Sequence, residues 1–160
     1  MSFRLRGIGK HLFVASWAEF EAQAPELAAR ARELLDAHKH KTLATLRKDG
    51  SPRISGTECE IVDGELQFGS MWRGVKALDL LRDPRFALHS ASEDPPEWPG
   101  DAKLAGTVTE TVVESEEHGG QYHLFRCDIS EVVVVGLTPD RKKLAIDAWH
   151  SGRGLTRIER

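Results

Sequence analysis

Between residues 43 and 84 the sequence divides itself into strand, turn, strand, turn, strand and helix, and its turns constrain the fold most. Asp63-Gly64 separates two β-patterned runs, 52–62 and 65–70. A two-residue Asp-Gly link asks for a type I′ hairpin, because both central residues need φ > 0. Lys48-Asp49-Gly50-Ser51 separates the first of these runs from an alternating segment at 43–47. The stretch is therefore expected to make a meander, two hairpins in succession.

After the third run the period changes from 2 to about 3.6. Val75, Leu78 and Leu81 fall on one side of the expected helix and Lys76, Asp79 and Asp83 on another, and Pro84 ends it. Arg73 and Lys76 put two cations at the start of that helix, where the macrodipole disfavours positive charge. A bound phosphate would offset this, since free helix N–H groups and two cationic side chains would meet one anion. Pairing of Lys76 with Asp79 at i,i+3, with Arg73 merely solvated, is the alternative.

In the run 52–62, Arg53, Ser55, Thr57, Cys59 and Ile61 share one face, and Ile54, Gly56, Glu58 and Glu60 the other. Polar residues on both faces require solvent, a partner subunit or a ligand on one of them. Gly56 in mid-strand marks either a bulge or a place where a ligand or another backbone comes close.

Upstream, residues 1–14 read as an extended arm or short strand, Ser16-Trp-Ala-Glu19 is a capping box, and Pro25 begins a second helix. Positive charge at 38–41 suits that helix's C-terminal end, so His38 and His40 read as a terminus rather than a metal site. Downstream, strands are expected at 85–91, 102–113, 124–137 and 143–150, with a closing segment at 155–160. Val132 to Val135 form a continuous apolar run that implies burial on both faces. A Pro-rich acidic loop at 92–100 carries Trp98, either as a connection or as a cover for a cofactor or second subunit.

Net charge is −3, which argues against nucleic acid as the main partner. The apolar runs are shorter than a membrane span requires, and no hydrophobic region follows the basic start, so a cytoplasmic protein is expected. Cys59 and Cys127 are too few for a disulfide framework and read as small hydrophobes in strands. His118 and His123 make a weak pair, and no metal site is expected. Local catalytic signatures are absent, and no general acid or base stands out.

The string Leu43-Ala-Thr-Leu-Arg-Lys-Asp-Gly-Ser-Pro-Arg-Ile-Ser55, then Asp63-Gly-Glu-Leu-Gln-Phe68, then Lys76-Ala-Leu-Asp-Leu-Leu-Arg-Asp-Pro-Arg-Phe-Ala-Leu88 resembles the pyridoxamine 5′-phosphate oxidase-like split-barrel family, well over residues 35–88 and loosely elsewhere. The resemblance implies a mainly β fold with flanking α-helices: an FMN-binding type of split β-barrel with Greek-key order and about six to seven strands. One domain would span 1–160, with 1–41 as N-terminal arm and helices and 42–160 as barrel.

It further implies an oxidoreductase with FMN, or alternatively the deazaflavin F420, held between the subunits of a homodimer. A non-catalytic module holding flavin, haem or nothing is the third reading. Lys76 matches the family's phosphate-binding lysine, with Arg73 reaching across as a second cation. Arg53, Ile54 and Ser55 match the second-strand segment along the cofactor, and Phe68, Gly69 and Ser70 the strand end that leads into the phosphate turn. Trp149 resembles an aromatic on the subunit opposite the phosphate, or else is core.

Two departures stand out: Gly74-Val75 occupy positions where relatives carry a cation or hydroxyl, and Glu58 and Glu60 replace residues that are commonly apolar. With Arg153 and Arg157 as the only visible candidates for a substrate-phosphate cluster, pyridoxamine phosphate oxidase activity itself is not expected.

Overall fold

The computed structural model describes residues 13–160, so the expected arm at 1–14 lies, but for its last two residues, outside the described residues. Two helices come first, α1 at Trp17–Gln23 and α2 at Pro25–Asp36. The capping box is formed: the Glu19 N–H donates to Ser16 Oγ at 3.1 Å and the Ser16 N–H to Glu19 Oε2 at 2.8 Å. Pro25 takes the first position of α2, where a missing N–H leaves no bond unmade. Leu27, Ala28, Ala31, Leu34 and Leu35 are the buried stripe of α2.

Strands β1 (Lys41–Leu46), β2 (Pro52–Thr57), β3 (Glu60–Val62) and β4 (Glu65–Met71) lead to helix α3 (Val75–Arg82). After it come β5 (Arg85–His89), β6 (Asp101–Ser115), β7 (Gly120–Leu137), β8 (Leu144–His150) and β9 (Gly154–Glu159). Neighbouring strands run β2-β1-β5-β6-β7-β4-β3, with β8 on β7 and β9 on β8. The barrel divides along β7, whose first part pairs with β4 (Phe68↔Phe125) and whose last part pairs with β8 (Val132↔Trp149).

A bulge between Ala105 and Gly106 makes that change of partner possible. There the two backbones lie so close that a Cβ on Gly106 would stand 2.0 Å from the Asp128 carbonyl oxygen. Ser130, skipped by the ladder, donates its hydroxyl to the Ala105 carbonyl at 3.1 Å, and its own carbonyl accepts from Ser151 N–H at 3.0 Å. The bulge thus leaves these polar groups paired.

Two sequence expectations change. The run 52–62 is not one strand: β2 and β3 are separate and sit at opposite ends of the seven-strand path. The meander is two hairpins, β1-β2 and β3-β4, pulled apart, with β5, β6 and β7 between them. Alternation continues through Glu58 and Cys59 in the sequence, but β2 and β3 find different partners. Of the two turns, only Asp63-Gly64 is of the I′ kind, with φ of 50° and 77°. At the other, Gly50 alone has positive φ, and Arg47 N–H bonds to the Ser51 carbonyl, as in a longer loop closed by a left-handed glycine.

The second change concerns α3. Val75, Leu78 and Leu81 do share a side, but they remain 56%, 40% and 49% exposed, while Ala77, Asp79 and Leu80 are buried. Burial of a carboxylate in place of a leucine stripe is tolerable here because Asp79 is saturated with donors: Arg53 Nε at 2.7 Å, Thr45 Oγ1 at 2.8 Å and Arg82 Nη2 at 3.1 Å.

The core joins Trp17, Phe20 and Trp149 to Phe68, Phe125, Leu43, Leu66, Leu88, Leu104, Ile129 and Val132. Among the described residues no helix is long and apolar enough to cross a membrane.

Candidate functional site

β4 ends at Met71, and the chain reverses through Trp72, Arg73 and Gly74 into α3. Gly74 N–H bonds to the Met71 carbonyl at 2.9 Å, and Arg73 takes a left-handed φ of 53°. Gly74 is the N-cap and supplies no side-chain acceptor, so the first-turn N–H groups of α3 keep their capacity to bind an anion. A side chain at Gly74 would crowd Ser70 Oγ at 3.1 Å and the Met71 carbonyl oxygen at 3.2 Å, which favours glycine at this position of the turn.

This turn forms one wall of a cleft of about 1280 Å³. Ser55 to Glu60, the end of β2 with its link to the first residue of β3, makes a second wall, and the tip of the β6-β7 hairpin, with His118, Gln121 and Tyr122, makes a third. No helix forms at 114–120; the hairpin itself reaches the cleft. Lys76 projects into it and donates Nζ to the Gly56 carbonyl at 2.9 Å. Burial lowers the Lys76 pKa below the ordinary 10.5. No carboxylate among the described residues forms an ion pair with it, and Asp79, the i+3 candidate, is taken up by Arg53, Arg82 and Thr45.

Gly56 is not a bulge. It pairs with Thr42 in an unbroken register, and a Cβ there would meet nothing within 4 Å. It faces open space at the cleft. Glu58 and Glu60 also line the cleft, so the departure from apolar residues puts two carboxylates on the wall that continues from Gly56. Glu60 Oε1 accepts from Gln67 Nε2 at 2.9 Å, and Glu58 lies 3.5 Å from Lys39. Cys59, between them, is a free thiol whose pKa burial pushes up to about 11, so it is protonated near neutrality.

Of the residues singled out in the sequence, Ser55, Phe68, Gly69, Ser70 and Lys76 meet in this cleft. Arg53, Ile54, Arg73 and Trp149 are outside its lining. Arg53 is held by Asp79. Ile54 is 76% exposed on the outer face of β2. Arg73 contributes its backbone to the turn, its N–H donating to His123 Nε2 at 3.0 Å. Trp149 is fully buried, 4.9 Å from the Phe20 ring, and donates Nε1 to Gln23. This is the position that the core alternative describes: no part of the ring reaches the surface of the chain.

Sequence reasoning missed Trp72, Tyr122, Glu110 and the structural role of His123. The signal for His123 was present: His123, Phe125, Cys127 and Ile129 recur at period 2 on the buried face of β7. His123 and His118 do not act as a pair. The ring of His118 contacts Tyr122, and no three potential metal ligands gather among the described residues.

No protein-family model and no curated protein matches the sequence. Solved structures do. One is a pyridoxamine 5′-phosphate oxidase-related, FMN-binding protein from Nostoc punctiforme, 14% identical, with a TM-score of 0.60 over 92% of this chain and 97% of that one. A heme binding protein from Mycobacterium smegmatis is 15% identical, with a TM-score of 0.55 over 84% and 88%. An F420 reductase is 17% identical, with a TM-score of 0.50 over 62% and 92%.

Proposed function

We propose that this chain, which has the split-barrel fold of the pyridoxamine 5′-phosphate oxidase-like proteins, is an oxidoreductase that binds FMN in the cleft beside Lys76. The observation that carries the reading is Lys76 itself: a partly buried cation without a carboxylate partner among the described residues, at the start of a helix that no side chain caps, on the wall of a cleft of about 1280 Å³. Ser70 and the first-turn N–H groups of α3 would share the phosphate with it. Ser55, Gly56 and Phe68 would flank the body of the cofactor. When bound, a flavin supplies hydride chemistry, and the protein's part is to position it and to exclude water.

The cleft exceeds the usual range of about 300–1,000 Å³ for a small-molecule pocket. A second copy of the chain over its open side would narrow it. The exposed apolar side chains Ile54, Met71, Val75, Leu78 and Leu81, with Met71 81% exposed, favour such a homodimer.

F420 is the second reading, favoured by the structural likeness to an F420 reductase and by its phosphate, which would use the same lysine. The visible spectrum of purified protein, followed by titration with FMN and with F420, tests both. A two-band flavin spectrum and tight FMN binding lost in Lys76→Met support the first reading. F420 binding with no response to FMN supports the second, and a Soret band with no response to either turns the cleft over to haem.

A further inference from the structure

His123 lies at the bottom of the turn that would hold the phosphate, yet it does not line the cleft. Its ring is 2% exposed, stacked under Trp72 (4.6 Å, 12°) and above Phe125 (5.9 Å, 19°). Nε2 lies 3.0 Å from the backbone nitrogen of Arg73. A backbone N–H can only donate, so Nε2 must be the unprotonated nitrogen and the ring proton belongs on Nδ1. Nδ1 in turn lies 2.6 Å from Glu110 Oε1, an acceptor when ionised. The relay therefore has one direction: Nδ1–H donates to Glu110, and Nε2 accepts from Arg73.

Arg73 is the residue of the turn with a left-handed φ, 53°, a conformation that non-glycine residues seldom adopt without support. The support is the imidazole. It receives the Arg73 N–H, and its face carries the Trp72 ring, so two successive turn residues rest on one side chain from β7.

We propose that His123, in the tautomer set by Glu110, is the positioning residue of the anion-binding turn: it touches no ligand but fixes the conformation from which Ser70, Gly74 and Lys76 act. The proposal rests on the phosphate reading of the cleft. Its test has one arm, hydrogen exchange at the Arg73 amide in ligand-free protein, that does not depend on that reading.

The two amide substitutions separate the two ring nitrogens. In His123→Gln the side-chain oxygen reaches the place of Nε2 and can still accept from Arg73. In His123→Asn the amide reaches only the place of Nδ1. Loss of one such hydrogen bond changes a constant by about tenfold. The expected result is FMN affinity within about threefold of wild type for His123→Gln, and about tenfold weaker for His123→Asn, with Arg73 amide exchange about tenfold faster only in the latter.

Equal Arg73 exchange in all three proteins overturns the proposal, whatever FMN does. Faster exchange in His123→Asn with unchanged FMN affinity also overturns it, since the turn would then be positioned without consequence for the ligand. If wild type binds neither FMN nor inorganic phosphate, the phosphate reading fails, and the exchange arm alone decides whether His123 orders the turn. Should His123→Asn not fold, Glu110→Leu replaces it: faster Arg73 exchange supports the relay, and wild-type exchange overturns it.

Discussion

Lys76 Nζ donates to the carbonyl oxygen of Gly56 at 2.9 Å, so the first turn of α3 is tied to the edge strand β2 by a cation with no anionic partner among the described residues. An arriving phosphate would compete with a neutral carbonyl, an exchange that favours the charged acceptor. Lys76→Met is expected to weaken FMN binding by ~1.5–3 kcal/mol, measured as the ratio of dissociation constants. Unchanged affinity would remove Lys76 from the site.

The same lysine sets a pH dependence. Burial lowers its pKa from 10.5, and only the protonated form attracts phosphate. FMN affinity is therefore expected to be full at neutral pH and to fall as pH rises through the lowered value, before an exposed lysine would lose its proton. For the ligand-free protein the sign is opposite: between that value and 10.5 the unfolded chain binds more protons, so Lys76 makes stability rise with pH there. Titrations repeated across alkaline pH with wild type and Lys76→Met decide it, because the variant's affinity should lack the lysine step.

Gly56 offers a test of where the body of the ligand runs. With no atom within 4 Å of the missing Cβ and an intact register to Thr42, a valine fits the strand and should add about 0.5–1 kcal/mol of stability by its backbone preference. The same side chain, on the exposed face of β2 that Ile54 shares and at the edge of the cleft, would meet a ligand that runs over β2 and should then weaken FMN binding by about tenfold, the effect of overfilling a packed contact. A valine variant with higher melting temperature and wild-type affinity would show that the ligand does not pass β2.

The contrast between what the sequence disclosed and what it hid is local against long-range. Asp63-Gly64, the Ser16 capping box and Pro25 were legible because their outcomes depend on residues within a few positions. The break of the run 52–62 into β2 and β3 was not, since alternation is the same on both sides of Glu58 and only pairing with β1 and with β4 separates them. Resemblance marked the turn and Lys76 but not the competition for side chains. Arg53 looks available until Asp79, twenty-six residues away, stands 2.7 Å from it. Trp149 looks ligand-facing until the β7-β8 register sets it beside Val132 in the core.

The apolar stripe of α3 predicts the oligomeric state. Leu78 and Leu81 are 40% and 49% exposed while the helix buries Asp79 beneath them. Leu78→Glu with Leu81→Glu should leave the protomer's stability within about 0.5 kcal/mol, as for surface substitutions in general. If a second copy covers the stripe, sedimentation at micromolar concentration should show wild type as a dimer and the double variant as a monomer. Wild type sedimenting as a monomer would dispose of the interface.

Asp79 fixes α3 to the barrel. Burial acts to raise its pKa, but hydrogen bonds from Arg53, Thr45 and Arg82 outweigh this and hold it below the ordinary 3.8. A depressed carboxylate contributes stability that is complete above the unfolded-state value and is lost as pH falls through the folded-state value. Asp79→Asn keeps the shape and one acceptor oxygen but loses the charge that faces two arginines, at a cost of ~2–3 kcal/mol near neutrality. For a chain of this length that corresponds to a melting temperature lower by roughly 4–12 °C. The gap between wild type and variant should narrow as pH falls from 3.8, where the unfolded chain takes up the proton, and its charge-dependent part should end below the lowered folded-state value, where the native carboxylate gains its own. Calorimetry from pH 7 down to the acid limit of solubility measures it. A gap that stays constant through that range would mean that shape, and not the paired charge, seats the helix.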